Sequence, residues 1–294
     1  MKEVFGVCKL CEKEKKLSES HIIPKFVFRW LKRTGGKFIR KADNPNKREE
    51  DGIKYYLLCN DCEQLFSKLE DKFARDIFYP YSDKKIDTFV YDSDLLKFSI
   101  SVLYRILLIN LNESTTFNEL HSRELKQACD EWNKFLFYNK EIKIFNKIYI
   151  FFTSDTLNKK ILPIERFLNY YARGIDGTIA SSNKSCIVYA KMARIILIGA
   201  IKGFDDTEMK NTLINSSGGE LKVKDMRLNH EIKDFLIYRT RIINNAYDRV
   251  SEKQKNIAID FSSKYFKNYS YSDISSIIEN ENNMKVDNNL IDFE

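Results

Sequence analysis

Glycine and proline are scarce in this chain of 294 residues, ten and four respectively, and no low-complexity tract interrupts it. So few backbone breakers exclude a collagen-like or linker-dominated chain and leave a globular one, with aromatic residues plentiful enough for a sizeable core. Long hydrophobic runs are also lacking. The longest, Leu95 to Leu111, is interrupted by Lys97 and Arg105 and is shorter than a membrane span requires, so it reads as a buried helix. The opening residues, Met1-Lys-Glu-Val-Phe-Gly, lack the apolar stretch of a secretory signal. Only six cysteines occur, four of them in C-x-x-C pairs with Cys129 and Cys186 isolated, which suits a reducing cytoplasm better than a disulfide framework. The net charge of +7 permits attraction to phosphate without specifying it.

What is present concentrates between Cys8 and Cys62. Cys8 and Cys11 form one C-x-x-C pair and Cys59 and Cys62 a second. Two tight turns, each presenting two sulfurs, are what a tetrahedral zinc ion needs, so the pattern predicts structural Zn2+ on Cys8, Cys11, Cys59 and Cys62. After the first pair, Pro24 stands at a helix start, with Phe26, Val27, Trp30 and Leu31 on one face and Gly35-Gly36 as the stop. Phe38 to Lys41 and Ile53 to Leu58 are expected to pair as strands around the polar loop Ala42 to Gly52. Cys59 and Cys62 then open a helix striped by Leu65, Phe66, Leu69, Phe73 and Ile77, which Tyr79-Pro-Tyr81 is expected to end. A knuckle, a hairpin and a helix around one zinc make a treble clef.

The order C-x-x-C, then Ser20-His-Ile-Ile-Pro24, then C-x-x-C at a helix start resembles the zinc-containing branch of the HNH (His-Me finger) endonucleases over the first quarter of the chain. The resemblance implies a ββα-metal-like module in which His21 is the general base that activates water for phosphodiester cleavage. Asn44 or Asn46 would orient its imidazole, and Mg2+ or Mn2+ would sit beside it as the catalytic ion. The chain departs from the family at Ser20, where an acidic residue or second histidine usually ligates the metal, and at Glu63, where Asn or His is usual. Glu63 is the candidate carboxylate for that ion. Lys25, Arg29, Lys32, Arg33, Lys47 and Arg48 flank the site and suit a nucleic-acid backbone. Such modules suggest bacterial or phage conflict, with nucleic acid as the partner.

The fold expected is α+β. Residues 1–85 form the zinc module, 86–268 a larger mixed α/β body, and 269–294 an acidic, Asn-rich tail that frays. In the body, Thr116 to Glu119 reads as a capping box and Leu125, Ala128, Trp132 and Leu136 as a helix. Ile142 to Thr153 reads as a strand, Pro163 to Arg173 as a short helix, and Ser185 to Ile201 as two strands or one bent one. A long C-terminal helical segment is expected from Asp225 to Tyr265, with Leu228, Ile232, Phe235, Ile242, Ala246 and Val250 near a heptad period. That stripe could pack on the body or on a second copy. Two function classes follow: a metal-dependent endonuclease, or an inactive HNH-like zinc scaffold that binds a protein partner as an inhibitor or adaptor in defence or anti-defence.

Overall fold

The structure, a computed structural model, describes residues 3–35, 39–49, 51–84, 86–113, 121–153, 161–257, 260 and 273–286. It is a mixed α and β molecule with the four paired cysteines clustered in the N-terminal region. Strands β1 (Phe5–Val7), β2 (Glu14–His21) and β5 (Lys54–Cys59) form an antiparallel sheet in the order β1-β2-β5. Its register sets Leu17 opposite Cys59 and His21 opposite Lys54. The expected hairpin is therefore nested differently. The two-residue strands β3 (Ile39–Arg40) and β4 (Arg48–Glu49) pair with each other, and β5 pairs with β2. Tyr55, Leu57 and Leu58 gain more from β2 and the core beyond it than from a short polar hairpin.

Helix α1 (Lys25–Gly35) buries Phe26, Val27 and Trp30, as its spacing predicts. Phe26 meets the edge of Phe78 at 4.9 Å, and Phe73 stacks on Phe98 at 3.9 Å. These rings join α1, the helix α2 (Asn60–Phe73) and α4 (Ser93–Glu113). Tyr79-Pro-Tyr81 does not end the helical path as expected. A wide turn over Ala74–Phe78 shifts the hydrogen-bond register and leads directly into α3 (Tyr79–Lys84). A widened turn accommodates Pro80, which lacks an N–H and would crowd the carbonyl of residue 76 in a regular helix.

Beyond the ribbon strand β6 (Thr88–Tyr91), helices α4 and α5 (Ser122–Tyr138) lie on one face of a four-stranded antiparallel sheet. The sheet runs in the order β7 (Ile148–Phe152), β11 (Ile195–Lys202), β10 (Cys186–Met192), β9 (Ile175–Ser181). Alternation along the strands divides their side chains between two apolar layers. Val188, Ala190, Ile195 and Leu197 face the α4–α5 layer, whereas Ile187, Tyr189, Ile196 and Ile198 face the other. Burial on both faces explains why β10 and β11 read as nearly continuous apolar runs. Ser185 to Ile201 is thus two strands, turned at Ala193 in the left-handed region (φ 54°). Lys191 is fully buried in β10, its ammonium donating to the carbonyls of Tyr171 (2.6 Å) and Ala193 (2.5 Å).

Short strand β8 (Ile161–Leu162) precedes helix α6 (Phe167–Arg173), and β12 (Gly219–Lys222) pairs with β6. Asn229 caps helix α7 (His230–Asp248) by accepting from the Ile232 N–H at 3.0 Å. The expected 225–265 helix is interrupted among the described residues: α7 covers His230–Asp248 and helical turns resume at 252–257, while most of 258–265 lies outside the described residues. Leu228, Ile232 and Leu236 pack on the chain's own sheet. The tail differs from the expected frayed segment over 273–286. There α8 (Asp273–Asn282) and β13 (Lys285–Val286) dock, with Ile277 fully buried and Asp273 paired with Arg173 (2.5 Å) and Arg194. The expected capping box at 116–119 lies outside the described residues. One apolar core runs from Cys8 and Leu10 through α2, α4 and α5 to the sheet, so residues on both sides of position 85 share it. Among the described residues no helix is long and apolar enough to cross a membrane.

Candidate functional site

Cys8 and Cys11 occupy a tight turn after β1, closed by the Cys8 N–H on the Lys13 carbonyl (3.0 Å) and the Glu12 N–H on the Cys8 carbonyl (2.9 Å). Glu12 adopts the left-handed region there (φ 58°). Cys59 ends β5 as the N-cap of α2, and Cys62 sits in that helix's first turn. The Lys9 N–H donates to the Leu57 carbonyl at 2.9 Å and folds the turn over the strand end. All four sulfurs are buried and lie within 4.8 Å of one another.

The Cys11 and Cys59 sulfurs are 3.9 Å apart. A tetrahedron built on zinc–sulfur bonds of about 2.3 Å has an edge of roughly 3.8 Å, whereas a disulfide is about 2.05 Å. The four cysteines lie close enough to bind a metal ion, at a spacing consistent with zinc. Their electrostatics agree. Burial would raise the Cys8 thiol, yet the N–H groups of Cys11, Cys59 and Leu10 bring it down to about 7. Burial and the neighbouring sulfurs push Cys62 up, and burial does the same at Cys11. Four sulfurs this close do not all ionise unless a cation lies among them. Cys129 and Cys186 lie apart from the cluster, and burial pushes each thiol up to about 12, so neither is a reactive nucleophile at neutral pH.

The body reaches into this turn. Tyr104 of α4 donates its hydroxyl to the Lys9 carbonyl, and Asn133 of α5 donates its amide to the Lys9 and Leu10 carbonyls at 3.0 Å each. The turn's backbone acceptors are thereby satisfied from helices more than ninety residues away in sequence.

His21 closes β2, and its Nε2 lies 2.9 Å from the Asp51 carboxylate. A carboxylate only accepts, so Nε2 carries a proton, and in the neutral imidazole the lone pair is then on Nδ1. Burial would raise the Asp51 pKa, but the His21 hydrogen bond and charge, the Gly52 N–H and Lys54 outweigh it and hold it below the usual aspartate range. Asp51 is therefore ionised at neutral pH. The His21 backbone is fixed from the other side: Arg105 Nη1 donates to its carbonyl at 2.7 Å. Arg105 is 1% exposed and places Nη2 2.8 Å from Glu70 of α2, an ion pair by distance without the linearity of a hydrogen bond. Its guanidinium also lies over the Phe66 ring at 5.3 Å.

Glu63, in the first turn of α2, accepts from the Ser20 hydroxyl, and burial raises its pKa against the pull of Ser20, Arg105 and His21. Asn44 and Asn46 sit in the β3–β4 turn rather than on the imidazole. The Asn44 carbonyl accepts from the Lys47 N–H at 3.1 Å, and the Asn46 amide bridges the Arg249 carbonyl (3.0 Å) and the Ser251 N–H (2.8 Å). The imidazole's partner is Asp51, thirty residues from His21, where sequence spacing carried no signal. Arg105 had one: a lone arginine within an apolar helix requires a buried acceptor. Among the flanking cations, Arg33 is paired with Asp83 (2.6 Å), Lys47 with Glu49 (3.1 Å), and Arg48 donates to Gln254 (3.1 Å).

Comparison with family models, with curated proteins and with solved structures finds no match. The site's chemistry is accordingly read from its own geometry. For an oxygen-seeking ion such as Mg2+ or Mn2+, the described residues bring together no group of three ligating side chains beyond the cysteines. The carboxylates beside this strand end are Asp51, which holds Nε2, and Glu63, which accepts from Ser20; Mg2+ commonly takes only one or two protein carboxylates, with substrate phosphate and water completing its shell.

Proposed function

We propose that the chain is a metal-dependent endonuclease of the HNH-like type, built on a zinc-bound treble clef and acting on nucleic-acid phosphodiester bonds in bacterial or phage conflict. The observation that carries the reading is the His21–Asp51 pair. With Nε2–H held by an ionised carboxylate, Nδ1 is the basic nitrogen, and among the described residues it makes no hydrogen bond of its own. An imidazole oriented this way takes a proton from water at neutral pH. The hydroxide attacks phosphorus, and the imidazolium formed is stabilised by Asp51. A divalent ion, drawing on Glu63 and the substrate phosphate, would supply charge stabilisation for the leaving oxygen. The test is cleavage of plasmid DNA and of RNA by the zinc-loaded protein with Mg2+, Mn2+ or Ni2+. Cleavage lost in His21→Ala and strongly reduced in Asp51→Asn is expected; no cleavage with any ion, or equal cleavage by His21→Ala, refutes it.

A second reading, an inactive zinc scaffold that binds a protein partner, draws on one observation. The Glu63 carboxylate is already engaged by Ser20, and burial favours its neutral form. Calorimetric titration of the folded, zinc-loaded protein with Mn2+ separates the two. Binding lost in Glu63→Gln favours the nuclease, and no binding even with a nucleic-acid strand present favours the scaffold.

A further inference from the structure

A cleft of about 540 Å3 opens between α1, the β3–β4 hairpin, α6, β9 and α7, in the size range of small-molecule sites. Ile22, Phe28, Ile53, Ile109 and Ile175 give it an apolar lining. Asp43, Glu49, Asp51 and Asp176 also line it; Arg239 takes Asp176, and Lys41 and Lys47 take Glu49, which leaves Asp43 and Asp51 as carboxylate acceptors. Asp51 holds the His21 ring through Oδ2 and accepts the Gly52 N–H through Oδ1, so the cleft borders that pair.

The cations on the wall are not equivalent. Arg239 is matched by a bidentate pair to Asp176 (2.7 Å twice), and Arg173 by Asp273 (2.5 Å). Arg40 instead donates to neutral oxygens, the Pro45 carbonyl (2.8 Å) and the Gln254 amide (3.0 Å). Directly opposite it in the strand pair is Arg48, which donates to the same Gln254 oxygen at 3.1 Å. Like charges facing each other across a strand pair are unfavourable. Burial and the Arg48 charge both hold the Arg40 pKa down. Among the described residues Arg40 meets no carboxylate, whereas Arg239 and Arg173 do, so an anion in the cleft is best placed at Arg40.

A ligand suited to the whole cleft has an anionic group for Arg40, a flat apolar body for the isoleucine and Phe28 lining, and N–H or O–H donors for the carboxylates. A fatty acid lacks the donors and inorganic phosphate lacks the body. We propose that this cleft is a nucleotide site, with the phosphate on Arg40 and the base against the apolar lining. The nucleotide is either free or one unit of a single strand. In placing a strand's nucleotide beside the His21–Asp51 pair, the inference rests on the nuclease reading above.

The experiment uses the full, zinc-loaded chain carrying His21→Ala, so that binding is read without turnover. It is titrated calorimetrically with 5′-mononucleotides, with a short single-stranded oligonucleotide and with inorganic phosphate. Saturable binding at one site per chain is expected, weakened at least tenfold by Arg40→Gln, restored in part by Arg40→Lys, and far weaker for phosphate alone. A mononucleotide that binds identifies the free nucleotide as ligand, and binding confined to the oligonucleotide identifies the strand. No binding of either, or binding unchanged in Arg40→Gln and in the cleft-filling Ile243→Trp, overturns the proposal. Binding by His21→Ala with no cleavage by the unmodified protein would remove the nuclease reading and leave the site. Cleavage that Arg40→Gln leaves untouched, with no measurable nucleotide affinity, would do the reverse.

Discussion

Replacing Arg105 by methionine tests how the two halves of the chain are joined. The side chain of Arg105 is 2% exposed, donates to the carbonyls of His21 (2.7 Å) and Ser101 (3.1 Å), and faces Glu70 at 2.8 Å. Removing one partner of a buried ion pair leaves the other charge uncompensated, a loss of about 3–5 kcal/mol. Ser101 suffers little, because its carbonyl keeps the regular helical bond from the residue 105 N–H. The main costs are therefore an unpaired Glu70 and an orphaned His21 carbonyl. Removing both charges at once, as Arg105→Met with Glu70→Met, eliminates the first cost and leaves only the second. The double variant should thus lose about 1–2 kcal/mol, less than Arg105→Met alone. Urea unfolding of the zinc-loaded proteins, arranged as a double-mutant cycle, measures this coupling. An Arg105→Met loss under about 1 kcal/mol, or a double variant that is simply the sum of the singles, would refute the reasoning.

Metal analysis of the purified chain should give one zinc per molecule, lost in Cys59→Ser with a lower melting temperature; full stability in a strong chelator would contradict the clustered-thiolate geometry. Asp51→Asn should reduce cleavage by about two orders of magnitude or more, because an amide can donate to Nε2 and favour the wrong tautomer, whereas Asn46→Ala should leave cleavage within a few-fold. Burial pulls Lys191 down from 10.5 to about 7. The unfolded chain then binds the extra proton between those values, so stability should rise with pH from about 7 to about 10. Lys191→Met should flatten that rise by a few kcal/mol relative to the unmodified protein, and identical slopes would show that Lys191 stays charged in the fold. Gly52→Ala should destabilise the chain by about 1–3 kcal/mol in thermal melts, since a Cβ there drives into the buried Phe28 ring.

Periodicity and spacing made the local elements legible. The apolar face of α1, the cysteine-capped start of α2 and the buried α4 all follow from patterns within a few turns of chain. The cysteine cluster was equally legible, because a shared metal constrains two short motifs whatever lies between them. Pairing was not. β5 chose β2 over the nearer 38–41 segment, and the stretch at 273–282 became a docked helix because Asp273 meets Arg173 and Arg194. Both outcomes depend on contacts between residues far apart in sequence.

The amino-acid order alone therefore determined the strongly periodic helices and strands, though not α3 or the docked α8, and that four thiols converge. The tertiary structure decided the imidazole's partner. Asp51 rather than Asn44 or Asn46 holds His21, and Arg105 of α4 holds its carbonyl. Such choices depend on which buried polar groups meet once the core has closed. An unpaired charge or carbonyl in that core costs more than any local propensity.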